Sequence, residues 1–459
     1  MILTQCAVCA APLGLALGKK CGRCKTRYCG PACQEQHWKE GGHDKLCKKI
    51  KKAGGAENYN AQKRYKEAVA AAVEKCAADT KGQTCYICME AVHPRTGEAL
   101  VRGCGCGDRD GVASGRTGVA HVSCLAEQAK ILFAEGEENN LSNETMIERW
   151  ARWNTCDLCE QEYHGVVRCA LGWACWKTYL DRPEEDWART SAMTKLGNGL
   201  SYAGHHDDAL TVREAELSMW RRLGGSEERM LVAQSNLANT YYKLGRIEAL
   251  NMYRDVYSGW LRLGGEEHRS ALIAASNYAA SLSDLERFEE ARSLLRRTIP
   301  VARRVLGESH EITLMMRKIS AEALYKDDAA TLDDLRKAMT TLEDTDRTAQ
   351  RVLGGSHPLA VGVELHLRNA RMALGNHEMR ATLPVPRFKV GARVECRREA
   401  KFLTGTVVRH HYREYDWEPD VFAPYQVKLD GQSPGLIYAR WDEDDCIRAA
   451  GADSDAETL

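Results

Sequence analysis

The chain has 459 residues, more than a single hydrophobic core usually organises, so three or four domains are expected. Its 64 basic and 64 acidic side chains cancel, which leaves no whole-molecule field to draw in nucleic acid or a membrane surface. No apolar run reaches the length needed to cross a bilayer; the apolar N-terminus, broken by cysteines and without a cation before Lys19, does not read as a signal peptide.

Of the 19 cysteines, 15 fall in residues 1–160, most of them paired at two-residue gaps. Close pairs interleaved with histidine suit zinc better than a secreted disulfide framework does. The expected compartment is therefore reducing and intracellular, cytoplasm or nucleus.

Residues 1–50 carry Cys6-x2-Cys9, Cys21-x2-Cys24, Cys29, Cys33, His43 and Cys47, eight donors and enough for two closed tetrahedral sites. His43 and Cys47, four apart, can converge on one face of a helical turn, whereas His37 and His43, six apart, suit a helical ion site poorly. The order of donors resembles the MYND zinc finger, including the Tyr28-Cys29 step, the Cys33-Gln34 step and Trp38. The resemblance implies interleaved sets: Cys6, Cys9, Cys29 and Cys33 on one zinc, and Cys21, Cys24, His43 and Cys47 on a second. It also implies a groove for a proline-containing peptide at Gln34 and Trp38; such segments lose little entropy on docking. Between Lys19 and Lys52 the formal excess of Lys and Arg over Asp and Glu is +8. Nothing there reads bases, so the lysines are taken as a solvated face and nucleic acid is not expected as a partner.

Residues 51–82 read as a helical linker, "YKEAVAAAVEKCAA" being rich in helix formers. A second donor series follows in residues 83–168: Cys85-x2-Cys88, Cys104-x-Cys106, His121-x2-Cys124 and Cys156-x2-Cys159. Four cysteines, a histidine and three cysteines in that order, with the contexts "CYIC", "GCGC" and "AHVSCL", resemble the RING-CH (RINGv) variant of the RING finger. The resemblance implies a third zinc on Cys85, Cys88, His121 and Cys124 and a fourth on Cys104, Cys106, Cys156 and Cys159. It also implies docking of a ubiquitin-conjugating enzyme at Ile87, the finger contributing orientation and no nucleophile. Two features depart from that pattern: 31 residues with helical periodicity separate Cys124 from Cys156, and no membrane segment follows. Within that insertion Trp150 and Trp153 are expected in a core.

A connecting helix is expected in 169–190, around "RCALGWACWKTYL". From 191 to 376 a phrase recurs as "LGGSEER", "LGGEEHRS", "LGESHEIT" and "LGGSHPLA", at a period near forty residues with two helices per unit. This is the signature of a helical solenoid, and it resembles the TPR repeats of kinesin light chains, which implies a concave groove for a peptide or helix. His268, His310 and His357 fall at equivalent positions and read as turn or packing residues. After "ATLPVPRF", residues 386–450 carry short β-rich runs that suit a small antiparallel barrel. "VGARVECRREAKFLTGTVV" resembles the opening hairpin of Tudor- or SH3-like barrels, and residues 451–459 form a polar, disordered tail.

The expected fold is thus multidomain and mainly α: two zinc-stabilised finger modules, a TPR-type solenoid and a small C-terminal β-barrel. No catalytic constellation emerges; there is no phosphate loop and no HExxH, and the leftover Cys76, Cys169, Cys175, Cys396 and Cys446 lack histidine partners in sequence. The function expected is a zinc-binding protein-interaction adaptor, the alternative a soluble RING-CH-type ubiquitin ligase that recruits substrates through its repeats and MYND finger.

Overall fold

The computed structural model describes residues 6–9, 11, 13, 18–106, 118–398, 401–414, 417, 421–430 and 435–451. The tail expected from 451 onward lies outside this set except for Gly451. The chain forms two compact units, one of 1–327 with 340–367 and the other of 328–339 with 368–459, two of the three internal boundaries falling inside long helices.

The first unit opens on a two-stranded hairpin, β1 (Lys19–Lys20) and β2 (Arg27–Tyr28), followed by α1 (Pro31–Lys39) and α2 (His43–Lys52). Pro31 sits at the first turn of α1, where its missing N–H costs nothing. In α2 the buried residues are His43, Cys47 and Ile50, a single stripe at helical spacing, and the lysines take the opposite face. The linker is one continuous helix, α3 (Ala56–Cys76). A second minimal hairpin pairs β3 (Val101–Arg102) with β4 (Val119–Ala120). The insertion folds as α4 (Val122–Glu138) and α5 (Asn143–Ala151), the latter capped by Ser142, and α6 (Gly165–Tyr179) packs against α3 and α4.

Four helix pairs follow: α7 (Trp187–Tyr202) with α8 (His206–Leu223), α9 (Glu227–Lys243) with α10 (Glu248–Gly264), α11 (Arg269–Asp284) with α12 (Phe288–Leu306), and α13 (Glu311–Tyr325) with α14 (Leu332–Leu353). Each helix from α7 to α12 packs on the next, and α11 also touches α9 and α13, the nearest-neighbour stacking of a solenoid. The recurring Leu-Gly phrase is a stop signal: Gly224 adopts φ +65° and ends α8, a backbone conformation that side chains with a Cβ disfavour. The histidine in the same phrase is a start signal. His268 and His310 each accept the N–H two residues ahead through Nδ1, at 3.2 and 3.1 Å, capping α11 and α13. His357 does the same at 3.2 Å before α15 (Pro358–Thr382).

The insertion, α6 and the first repeats share one core. Phe133 and Trp150 lie 4.9 Å apart, Trp150 and Tyr179 5.0 Å, and the same cluster runs through Trp153, Trp173 and Trp176 to Leu196, Leu200 and Trp220. Among the described residues no helix is long and apolar enough to cross a membrane.

In the second unit, β5 (Arg393–Arg398), β6 (Lys401–Tyr412), β7 (Ala423–Leu429), β8 (Leu436–Ala439) and β9 (Ile447–Ala449) form one antiparallel sheet in the order β8-β7-β6-β5-β9. Val394, Cys396, Val407, Tyr425 and Val427 fill its inner face. The expected barrel does not close: among the described residues the edge strands β8 and β9 share no ladder. The physical reason is their brevity and the segment between them, which is spent in turns. There Arg387 bridges Asp442 and Asp444, both at 2.8 Å, and also donates to the Ile447 carbonyl. Tyr412, Trp417 and Tyr438 pack edge against face, Trp417 and Tyr438 at 4.8 Å, while Tyr415 lies outside the described residues.

Trp153→Ala should lower stability toward urea by about 3–5 kcal/mol. Because the core is shared, fluorescence and circular dichroism should report one transition that takes α4–α6 and the first repeats together, not two. The capping histidines must be neutral to accept, and burial, with His164 nearby, holds His357 down at about 4. A depressed pKa contributes stability present above the unfolded value near 6.5 and lost as pH falls toward about 4. His357→Asn, whose cap does not titrate, should therefore match the parent in thermal midpoint at pH 7.5 and exceed it increasingly down to pH 5.

Candidate metal centres

Three of the cysteine pairs are built on the same turn. Lys25, Met89 and Glu160, each directly after the second cysteine of a pair, adopt φ of +64°, +65° and +59°. In each turn the residue after the pair donates its N–H to the carbonyl of the first cysteine: Lys25 to Cys21, Met89 to Cys85 and Glu160 to Cys156, at 2.8 to 2.9 Å. The first cysteine in turn donates its own N–H to the carbonyl one residue further on, at Thr26, Glu90 and Gln161. This local loop aims both thiols to one side. A left-handed conformation at Lys, Met or Glu costs roughly 1 kcal/mol, so something else in each turn compensates.

For the turns at Lys25 and Met89 the compensating groups arrive from helices, and for the turn at Glu160 from the loop after β3. In the first finger Cys9 lies 3.5 Å from Cys29 and Cys29 3.4 Å from Cys33 on α1, with Cys6 completing the set. Cys21 lies 3.9 Å from Cys47, and Cys24 3.3 Å from Nε2 of His43, both partners being on the buried stripe of α2. In the second block His121 immediately precedes α4 and Cys124 lies in its first turn; Nδ1 of His121 stands 3.4 Å from Cys88 and 3.6 Å from Cys124, beside Cys85. Cys106 lies 3.7 Å from Cys156, with Cys104 and Cys159 alongside. Within each of the four sets all donor atoms fall inside 4.8 Å of one another.

These separations test the metal. Sulfurs at about 2.3 Å from a tetrahedral zinc stand about 3.8 Å apart, and a ring nitrogen to sulfur edge is about 3.5 Å. A disulfide would bring two sulfurs to about 2.05 Å. The observed spacings match the tetrahedron. Without a cation such crowding opposes ionisation: Cys29 and Cys9 push the Cys33 thiol up to about 12, and burial, then Cys24 and Cys21, push Cys47 up to about 11. A dication removes that repulsion. Each set supplies four protein donors and so fills a tetrahedron, which leaves no open position for a substrate; the metal role is structural.

His37 stands apart from the donors. Its Nδ1 meets the Tyr28 hydroxyl at 3.0 Å, and its ring lies 4.8 Å from that of His43. Trp38 is 45% exposed on α1, edge-on to His43 at 5.8 Å, and Gln34 is half-buried on the same helix. Ile87 is half-buried against the core of the second block, while Met89 two residues on is 70% exposed.

Two features escaped the reading of the sequence. Gly118 is packed against the fourth set so closely that a Cβ there would sit 2.7 Å from Sγ of Cys104. Gln161, just after Cys159, accepts the Gly105 N–H at 3.1 Å and donates to the Leu353 carbonyl at the end of α14 at 2.7 Å. The rings of His164 and His357 meet edge to face beside this bridge. The end of the fourth helix pair is thereby docked on the second finger. No sequence pattern marks a bond between residues so far apart.

A family model for the MYND finger matches residues 6–47, and one for the tetratricopeptide repeat matches residues 229–304, which span α9 to α12. The second block lies outside both stretches. No curated protein matches the chain significantly. Among solved structures, nearly identical TPR-like repeats of a Podosopora anserina protein assigned to the kinesin light chains are 21% identical, with 41% of this chain and 88% of theirs covered and a TM-score of 0.35. BtubC (BKLC) from P. vanneervenii is 14% identical, with 58% of this chain and 94% of its own covered, also at a TM-score of 0.35. The chain thus combines a MYND finger with TPR repeats, and zinc is the metal its cysteine and histidine sets suit.

Gly118→Ala should displace Cys104 and empty the fourth set alone. Native mass spectrometry should then find one zinc ion fewer than in the parent chain, with the other sets still loaded.

Proposed function

We propose that the protein is a zinc-organised adaptor holding four zinc ions, whose first finger and helical repeats each grip a segment of another protein. The observation that carries it is the closed character of all four donor sets, found together with two modules of the kind that bind peptides. On this reading Cys6, Cys9, Cys29 and Cys33 hold the first ion, Cys21, Cys24, His43 and Cys47 the second, Cys85, Cys88, His121 and Cys124 the third, and Cys104, Cys106, Cys156 and Cys159 the fourth. When bound, zinc supplies cross-bracing and no reaction step.

The exposed face of Trp38 with Gln34 on α1 offers an aromatic wall for an extended, proline-containing segment, and the repeats offer a longer surface for a peptide or helix. The ligase alternative, with Ile87 receiving a ubiquitin-conjugating enzyme, rests on the order of donors and the wording around them in the sequence. Ile87 has part of its surface committed to the finger's own core.

Metal analysis of the purified chain should return four zinc ions, and chelation should unfold both fingers by far-ultraviolet circular dichroism. An array of proline-containing peptides should yield ligands for the full chain whose affinity falls about tenfold or more in Trp38→Ala, the scale of an aromatic anchor. A zinc-loaded chain that binds none of them, and that builds ubiquitin chains with a conjugating enzyme in an Ile87-dependent way, would replace the adaptor by the ligase.

A further inference from the structure

The first finger carries a cationic surface that the zinc scaffold leaves unused. Lys45, Lys48, Lys49 and Lys52 are all exposed on the face of α2 opposite the buried stripe of His43, Cys47 and Ile50. Among the described residues none of these four forms an ion pair, although Lys39 on the neighbouring α1 is paired with Glu35. Just beyond the C-terminus of α2, a cavity of about 370 Å³ is lined by Lys20, Lys25, Arg27 and Arg189 together with the carboxylates Glu57, Asp181 and Glu184.

We propose that this surface is the docking site for an acidic, extended segment of a partner protein. The four lysines span about 10.5 Å along the helix, from the 1.5 Å rise per residue. Alternate side chains of an extended strand repeat at about 6.8 Å, so two or three carboxylates on one face of such a segment cover that length, and the flexible lysine stems reach them. A peptide fits this face better than a single strand of nucleic acid. Trp38 is the one strongly exposed aromatic of this finger among the described residues, too few rings for a stacking platform. The row is also all lysine, a point charge without the forked geometry that favours phosphate. This inference deepens the adaptor reading by fixing the charge of one partner segment and rests on that reading.

The test uses the full zinc-loaded chain and a fluorescein-labelled peptide of Glu-Ser repeats, followed by anisotropy at low and moderate salt. The peptide should bind, weaken as salt rises, and lose about tenfold or more in affinity when Lys45, Lys48, Lys49 and Lys52 are all changed to Glu, the scale expected for four exposed pairs. A variant with Lys66, Lys75, Lys81 and Lys130 changed to Glu matches the charge change elsewhere and should bind like the parent. Zinc content serves as the folding control for both variants. No binding by the parent, or equal losses in the two variants, would overturn the proposal. So would a single-stranded oligonucleotide of matched charge that binds more tightly at the same row. A chain that captures proline-containing peptides but ignores the acidic probe would keep the adaptor and sink this inference alone.

Discussion

Thiolate donors crowded within a few ångströms of each other repel unless a cation stands among them, and the first third of this chain is built on that constraint. Its two hairpins are two residues per strand, too short to hold a register unaided. What fixes them is that the cysteine turns are tied to distant donors: the Cys21 turn to α2, the Cys85 turn to α4 and the Cys156 turn to the loop after β3. The left-handed residues after the cysteine pairs show the same dependence from the opposite side. Their strain is tolerated because the donors they aim are held at the far end.

From the second finger onward metal and hydrophobic burial work together. The insertion that departs from a compact finger becomes α4 and α5, and their aromatic faces merge with α6 and the first repeats into one core. The finger therefore does not hang from the solenoid as a separate bead. Its other side meets the solenoid again through Gln161, so the module touches both the beginning and the end of the fourfold array of helix pairs. Pairs in between contact mainly their neighbours, as a stacked array requires.

What was legible in the sequence was whatever is set by short range. Donor spacing, the basic face of α2, the linker helix and the recurring phrase of the repeats are written within a few residues of one another, and the structure shows their local consequences directly. The phrase proved to hold a helix stop at Gly224 and a helix start at His268, His310 and His357. That start was hidden because histidine is an uncommon cap, and only the position of Nδ1 over an N–H reveals it. Closure of the C-terminal sheet was misread because strand propensity says nothing about whether edge strands find each other. The turns held by Arg387 decide against it. The bridge from Gly105 through Gln161 to Leu353 was invisible for the same reason: a glutamine after a cysteine pair carries no mark of a partner in the last repeat.

That bridge has a consequence for how the protein is made. Gln161 and Leu353 are 192 residues apart in sequence. At roughly 5–20 residues per second of synthesis, the second finger waits about 10–40 s after leaving the ribosome before its partner exists. During that interval the Gln161 amide Nε2, without its Leu353 acceptor, faces solvent on a finger that can already hold metal and bury α3 and α6. The nascent protein thus has a stage at which the zinc modules are formed and the array is still an open, growing stack.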